Sequence, residues 1–227
     1  MLDLDVFGKS GRKGIEGGKG KAGLEVLCLG AHCDDIEIGC GGSMLRLLSA
    51  RKDVKVTWVV FCSSPEREEE ARRSAAAFLS GARKTDIIIH EFRDGFLPIL
   101  GAGPKEAFEI LKVRVRPDIV FTHFRGDAHQ DHRAVSELTW NTFRDHLILE
   151  YEIPKWDGDL AIPNGFMPVT KALARRKIAL LLRHYGTQRG RDWFNEEVFL
   201  SLMRLRGMES RSPSGLAEAF HCRKLLL

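Results

Sequence analysis

The 227-residue sequence lacks any run of about eighteen apolar residues, the length a membrane-spanning helix needs. Its first residues lack the apolar core of a signal peptide. The five cysteines, Cys28, Cys33, Cys40, Cys62 and Cys222, are odd in number, follow no framework spacing and form no CxxC pair. This speaks against a disulfide scaffold or a zinc ribbon and fits reduced thiols in a cytoplasmic protein. Charge of one sign is missing as well. Lys+Arg 35 against Asp+Glu 31 leaves a net charge of +4, and no basic stripe interleaved with aromatics marks a nucleic-acid surface. No GxxxxGK[ST] phosphate loop occurs, and Met44 stands where a dinucleotide GxGxxG would need its last glycine.

What is present is regular alternation. A Gly/Lys-rich stretch, 1–22, reads as a flexible tail that cannot bury enough to order itself. One domain, 23–227, follows it. Apolar runs at 24–31, 54–63, 84–92 and 118–124 predict strands, and helical spacing predicts helices over 41–52, 64–82, 104–116 and 131–146. Strand–helix alternation implies an α/β fold, a Rossmann-like three-layer sandwich with a mostly parallel sheet. Ligands of such sheets gather at the carboxyl ends of the strands. Beyond 147 the pattern changes. A strand is expected at 147–154 and a long Pro/Gly loop at 154–168, followed by helices near 170–185 and 192–206 and a short tail. The loop and the apolar C-terminus suggest a homo-oligomer.

Two clusters carry the chemistry. Residues 28–42, "CLGAHCDDIEIGCGG", run from an apolar strand into His32, Asp34, Asp35 and Glu37. Residues 122–135, "THFRGDAHQDHRAV", crowd His123, Asp127, His129, Asp131 and His132 between a strand and a helix. Buried charges need partners or a metal, and a cation at the sheet edge would let adjacent carboxylates coexist. His32, Asp35 and His132 suit zinc as three protein ligands with one position left open. Asp34 is then placed to take a proton from water. His129 is placed to give one to a leaving group, with Asp131 holding the His129 ring. The same 2-His-1-carboxylate set would also suit a non-haem Fe(II) enzyme, and a non-catalytic sugar-binding module is a third reading.

"AHCDDIEIGCGGS" resembles the AHPDD-type opening of the LmbE-like, PIG-L-type zinc deacetylases, and "HFRGDAHQDH" resembles their second signature, H-x-x-x-D-x-H-x-D-H. The resemblance implies removal of an N-acetyl group from an amino sugar or a GlcNAc-containing small molecule. It implies one zinc ion on His32, Asp35 and His132, Asp34 as general base, and His129 as general acid or oxyanion-side group oriented by Asp131. It places Arg67 and Asp94 near sugar hydroxyls, with Arg206 and Glu218 as further substrate candidates. Trp156 in the Pro/Gly loop is a candidate stacking surface. His123, Asp127 and Glu37 are expected behind the ligands, His123 in a packing role. The chain departs from the pattern at Cys33, where proline is usual, and at Asp127, where some relatives carry a tyrosine.

Overall fold

The computed structural model describes residues 23–225, so the stretch read as a tail, 1–22, lies outside the described residues. Seven strands form one sheet: β1 (Glu25–Gly30), β2 (Lys55–Cys62), β3 (Lys84–Phe92), β4 (Ile119–His123), β5 (Leu147–Tyr151), β6 (Gly165–Pro168) and β7 (Ala217–Cys222). Six α-helices accompany them: α1 (Asp35–Ala50), α2 (Pro65–Phe78), α3 (Gly103–Arg114), α4 (Gln130–Thr142), α5 (Lys171–His184) and α6 (Glu196–Glu209). The strand order is β3-β2-β1-β4-β5-β7-β6. The first five strands are parallel, and β7 runs antiparallel to both β5 and β6.

The period-two alternation of the strands builds two cores. On one face Val26, Cys28, Val56, Trp58, Val60, Ile119 and Phe121 pack with the apolar sides of α1, α2, α5 and α6. On the other Leu27, Leu29, Val59, Phe61 and Val120 pack with α3 and α4. Both faces of the central strands are covered, which is why those strands read as nearly continuous apolar runs.

The glycines of "GCGG" are dictated by what α1 packs against. A Cβ on Gly39 would lie 2.1 Å from the Tyr151 ring, one on Gly41 2.7 Å from Phe78, and one on Gly42 2.9 Å from the Glu218 carboxylate. The expected helix 64–82 ends earlier, at Phe78, and starts on a Ser64 cap with Pro65 in the first turn. The largest correction lies near the C-terminus. The segment read as a tail contains β7, whose Ala217, Ala219 and Phe220 are buried, and part of the Pro/Gly loop forms β6. Neither strand shows sustained alternation on its own. β7 is held between β5 and β6, and β6 is held by pairing with β7.

Strands β2 and β3 extend the sheet to one side of β1, while β4 and β5 extend it to the other. The order therefore reverses between β1 and β4, and the crevice above their carboxyl ends is where an α/β sheet receives ligands. Both His/Asp-rich clusters sit at that point.

Candidate active site

The first cluster is the turn from β1 into α1. His32 follows the strand, Asp34 is the residue before the helix, and Asp35 opens it. The second cluster leaves β4 at His123 and enters α4, whose cap is His129. Strands β1 and β4 are hydrogen-bonded neighbours, so two segments about a hundred residues apart share one crevice.

Donor groups of three residues converge there, Asp35 facing each histidine with a different oxygen. His32 Nδ1 lies 3.2 Å from His132 Nε2 and 3.3 Å from Asp35 Oδ2, and His132 Nε2 lies 3.5 Å from Asp35 Oδ1. Donors held about 2.0–2.1 Å from one zinc ion at tetrahedral angles lie about 3.3 Å from each other, so the residues present fit a shared divalent ion. The charges of Asp35 and His132 agree with this, whereas His32 carries a proton that a bound ion would have to displace. Burial opposes ionisation of Asp35, yet His132, His123 and His32 hold its carboxyl well below the usual range. Burial and the neighbouring His123 push His132 down to about 4, keeping it the neutral imidazole a metal requires. Burial works against a charged His32, but Asp35, Asp131 and Asp94 outweigh it and raise its pKa.

Asp34 does not cap α1. Its Oδ1 accepts from Arg67 Nη2 at 2.8 Å, and among the described residues its buried Oδ2 has no hydrogen-bond partner. Burial raises the Asp34 pKa and Arg67 partly counters it. A buried carboxylate oxygen without a protein partner is available to accept a hydrogen bond from a ligand or a water.

Asp131 corrects the sequence reading. Its carboxylate does not hold the His129 ring. Oδ2 lies 3.3 Å from His32 Nε2 and accepts from the Gly95 amide at 2.6 Å, while Oδ1 accepts from the Leu97 amide at 3.0 Å. It thus braces His32 against the segment after β3. Only the Asp131 backbone N–H reaches His129, donating to Nδ1 at 3.2 Å. That bond leaves the proton of a neutral ring on Nε2, and burial together with His32 lowers the His129 pKa.

Asp127 stands behind His132. Its Oδ2 lies 2.9 Å from His132 Nδ1 and 3.1 Å from Lys155 Nζ, and its Oδ1 accepts from the His129 amide at 2.8 Å. Burial opposes its charge, but His132 above all holds the carboxyl well below the usual range. Lys155 also pairs with Asp159 at 2.5 Å, and Asp159 accepts from the Ala128 amide at 2.6 Å, so the Pro/Gly loop is stapled to the second cluster. His123 is fully buried and stacks on His132 with ring centres 3.9 Å apart, and its Nε2 accepts from the Ala31 amide at 2.9 Å. Donor atoms of Asp35, His123 and His132 do gather within 4.8 Å, but the bond to Ala31 already occupies the His123 nitrogen that faces Asp35.

Glu37 is fully buried, its Oε1 2.6 Å from the Tyr185 hydroxyl, which also bonds the Cys33 carbonyl. A hydroxyl has one proton. When Tyr185 donates to Cys33, the contact with Glu37 is complete only if Glu37 is the protonated acid. Burial pushes the Glu37 carboxyl up to about 8, in agreement. Burial likewise pushes the Cys33 and Cys62 thiols up to about 12, so Cys33 fills its turn as a thiol.

The substrate candidates divide. Arg67 touches Asp34, and Asp94, with a largely exposed side chain, lies 3.1 Å from His32 Nε2. Trp156 is 69% exposed, edge-on to Trp193. The charged groups of Arg206 and Glu218 are instead paired inside the protein. Arg206 is buried and bonded to Glu152 and Glu209, and Glu218 is buried against Lys177, Ser43 and Gly42. Sequence reasoning missed both tyrosines, Tyr151 and Tyr185, the only two in the chain. Both are fully buried, and their hydroxyls end on backbone carbonyls beside the site, Leu29 and Cys33. Their scarcity is the one signal that pointed to them.

A mostly parallel α/β sheet with these two His/Asp-rich turns meeting at its switch point defines the LmbE-like deacetylase class. The chain belongs to the PIG-L family: residues 27–143 match the family model described as GlcNAc-PI de-N-acetylase. It is 33% identical over 174 residues to the uncharacterized deacetylase YaiS of Escherichia coli K12, covering 70% of this chain and 89% of that one. Among solved structures, the conserved protein TT1542 of Thermus thermophilus superposes with a TM-score of 0.71 at 21% identity, over 90% of this chain and 96% of its own. The N,N'-diacetylchitobiose deacetylase of Pyrococcus horikoshii superposes with a TM-score of 0.67 at 20% identity, over 88% and 83%. A hydratase, the 4-carboxy-2-hydroxymuconate hydratase GalB of Pseudomonas putida KT2440, shares the fold at 15% identity with a TM-score of 0.70, over 90% and 98%.

Proposed function

We propose that the chain is a zinc-dependent N-deacetylase that removes the acetyl group from an amino sugar or a GlcNAc-containing conjugate in the cytoplasm. The observation that carries this reading is the unpartnered, buried Asp34 Oδ2 beside the His32/Asp35/His132 triangle. The family match and the deacetylase relatives support the reaction class. The five free cysteines support a reducing compartment.

His32, Asp35 and His132 would hold the ion, which when bound would polarise the scissile carbonyl and make water acidic near neutral pH. Asp34 accepts the proton of the attacking water at Oδ2, with Arg67 holding Oδ1 in place. His129, its proton on Nε2, donates a hydrogen bond to the oxyanion that develops on the amide oxygen. The lowered pKa of His129 suits that donor better than a cationic acid, so Asp34 passes the proton on to the departing amine. Asp131 keeps the His32 ring in register, and Asp127 does the same for His132. Arg67 and Asp94 lie where they can meet sugar hydroxyls, and Trp156 at the loop surface is a stacking surface for a sugar ring.

The test is acetate release across a panel of N-acetylated amino sugars, with metal content measured on the same preparation. Zinc at one per chain with acetate from at least one sugar is the expected result. Oxygen uptake with iron, or zinc binding with no acetate from any sugar, rejects the reading.

A further inference from the structure

We propose that Tyr185 and Glu37 are positioning residues for Asp34, acting through the Cys33 carbonyl; this rests on the reading of Asp34 as the base. The turn that carries Asp34 is closed by a side chain, the His32 amide donating to Asp35 Oδ2 at 2.6 Å, and the Cys33–Asp34 peptide between them takes no part in that bond. Its internal backbone bond, from the Asp35 amide to the His32 carbonyl, is long at 3.5 Å. Residue 33 is a cysteine, so its φ is not locked by a proline ring. The Asp34 side chain makes no capping bond to α1 and meets one partner, Arg67, whose side chain is 21% exposed.

The Cys33 carbonyl belongs to the peptide plane from which Asp34 projects. Tyr185, just past α5 and about 150 residues on in sequence, donates its hydroxyl to that carbonyl. Its ring is fully buried, edge-on to Phe194, and its hydroxyl is set by Glu37, also fully buried. Glu37 lies on α1 itself, so the pair ties the peptide that precedes the base to the helix that follows it. Neither residue touches the His32, Asp35 or His132 donor atoms in any recorded hydrogen bond or ion pair, so the device bears on the base and not on the metal.

The experiment uses the zinc-loaded full chain and an N-acetylated sugar that it turns over. Y185F and E37A are each expected to lower kcat about tenfold to a hundredfold, the scale of an ångström-sized misplacement. KM is expected to stay within about twofold, because ground-state binding is untouched. Metal content stays at the wild-type level. E37Q keeps a donor and an acceptor for Tyr185 and restores most of kcat, and Y185F/E37A together cost no more than either alone. Wild-type kcat in Y185F overturns the proposal, as does E37Q falling as far as E37A or a loss shared between kcat and metal content. A crystal structure of zinc-loaded Y185F gives a second arm. The Cys33–Asp34 peptide turned and Asp34 withdrawn from Arg67 is the expected result; an unmoved Asp34 overturns the proposal. If wild type releases no acetate, the deacetylase reading fails, and the crystal arm still decides the positioning role.

Discussion

Asp34 and Asp35 are neighbours in sequence with opposite electrostatic surroundings. Both are buried, but three imidazoles surround Asp35 and hold it ionised, whereas Asp34 has one guanidinium and an oxygen left free. The roles follow from that difference, and so does a prediction. Asp34→Asn keeps the metal and loses about 10²–10⁴-fold in turnover, the usual worth of a general base. His132→Ala loses the metal itself. Metal analysis alongside acetate release separates the two, and a metal-free but folded D34N contradicts the assignment. Glu37 yields a pH effect. Its carboxyl rises from 4.5 to about 8 on folding, so the native state keeps a proton that the unfolded chain gives up between those values. Its contribution to stability therefore falls as pH rises through that window, by at most about 1.4 kcal/mol per unit, and levels off above it. Glu37→Gln cannot lose that proton. Urea denaturation from pH 5 to 8 is expected to show E37Q gaining steadily on wild type.

The element that decides the site is α1. Four of its features trace to other parts of the fold: Gly39 to Tyr151, Gly41 to Phe78, Gly42 to Glu218, and Glu37 to Tyr185. A buried ion pair fastens it. Lys177 of α5 donates to the Ile38 carbonyl at 2.5 Å and to Glu218 at 2.6 Å, and Glu218 of β7 accepts from the Gly42 and Ser43 amides at 2.7 Å each. Ile38 and Gly42 are four residues apart, so the pair grips α1 across one turn. Lys177→Met leaves Glu218 buried without its counter-charge and is expected to cost about 3–5 kcal/mol. Urea denaturation checks it; the double variant K177M/E218Q, which removes both charges, should recover part of the loss. Glu218 and Arg206 were substrate candidates only through the resemblance to the family's C-terminal pattern. Strand β7 and the contacts of α6 bury them instead.

At the scale of the molecule, the ion is expected to bind the native state and not the unfolded chain. Its ligands come from both sides of the switch point, the turn after β1 and the start of α4, and only the folded sheet brings them together. With metal at a hundred times its dissociation constant, binding adds about 2.7 kcal/mol to stability. Chelation is therefore expected to lower Tm by about 5–10 °C in a domain of this size, and readdition of zinc to restore it. His132→Ala should melt at the chelated value with or without zinc. No helix among the described residues is long and apolar enough to cross a membrane. The architecture by itself selects no chemistry, since a hydratase superposes on it as well as the deacetylases do. The reaction is argued from Asp34, His129 and the donor triangle.

Local pattern was enough for the parallel half of the sheet, α2 to α4 and the two clusters, but it placed the start of α1 at 41 where the helix begins at Asp35. Strand and helix periods repeat within a few residues, and His32/Asp35 and His129/His132 are each three apart. His32, Asp35 and His132, the ligands expected from those clusters, lie within 3.5 Å of one another in pairs. Which carboxylate serves which ring was decided elsewhere. Asp131 is two residues from His129 yet bonds His32, 99 positions away, because α4 turns its first carboxylate toward β1. Strands β6 and β7, the Lys155 staple and the Tyr185 grip on Cys33 were equally out of reach, since each is a pairing between distant segments. Periodicity records what one element wants to bury. Only chain closure into the sheet determines which partner it meets.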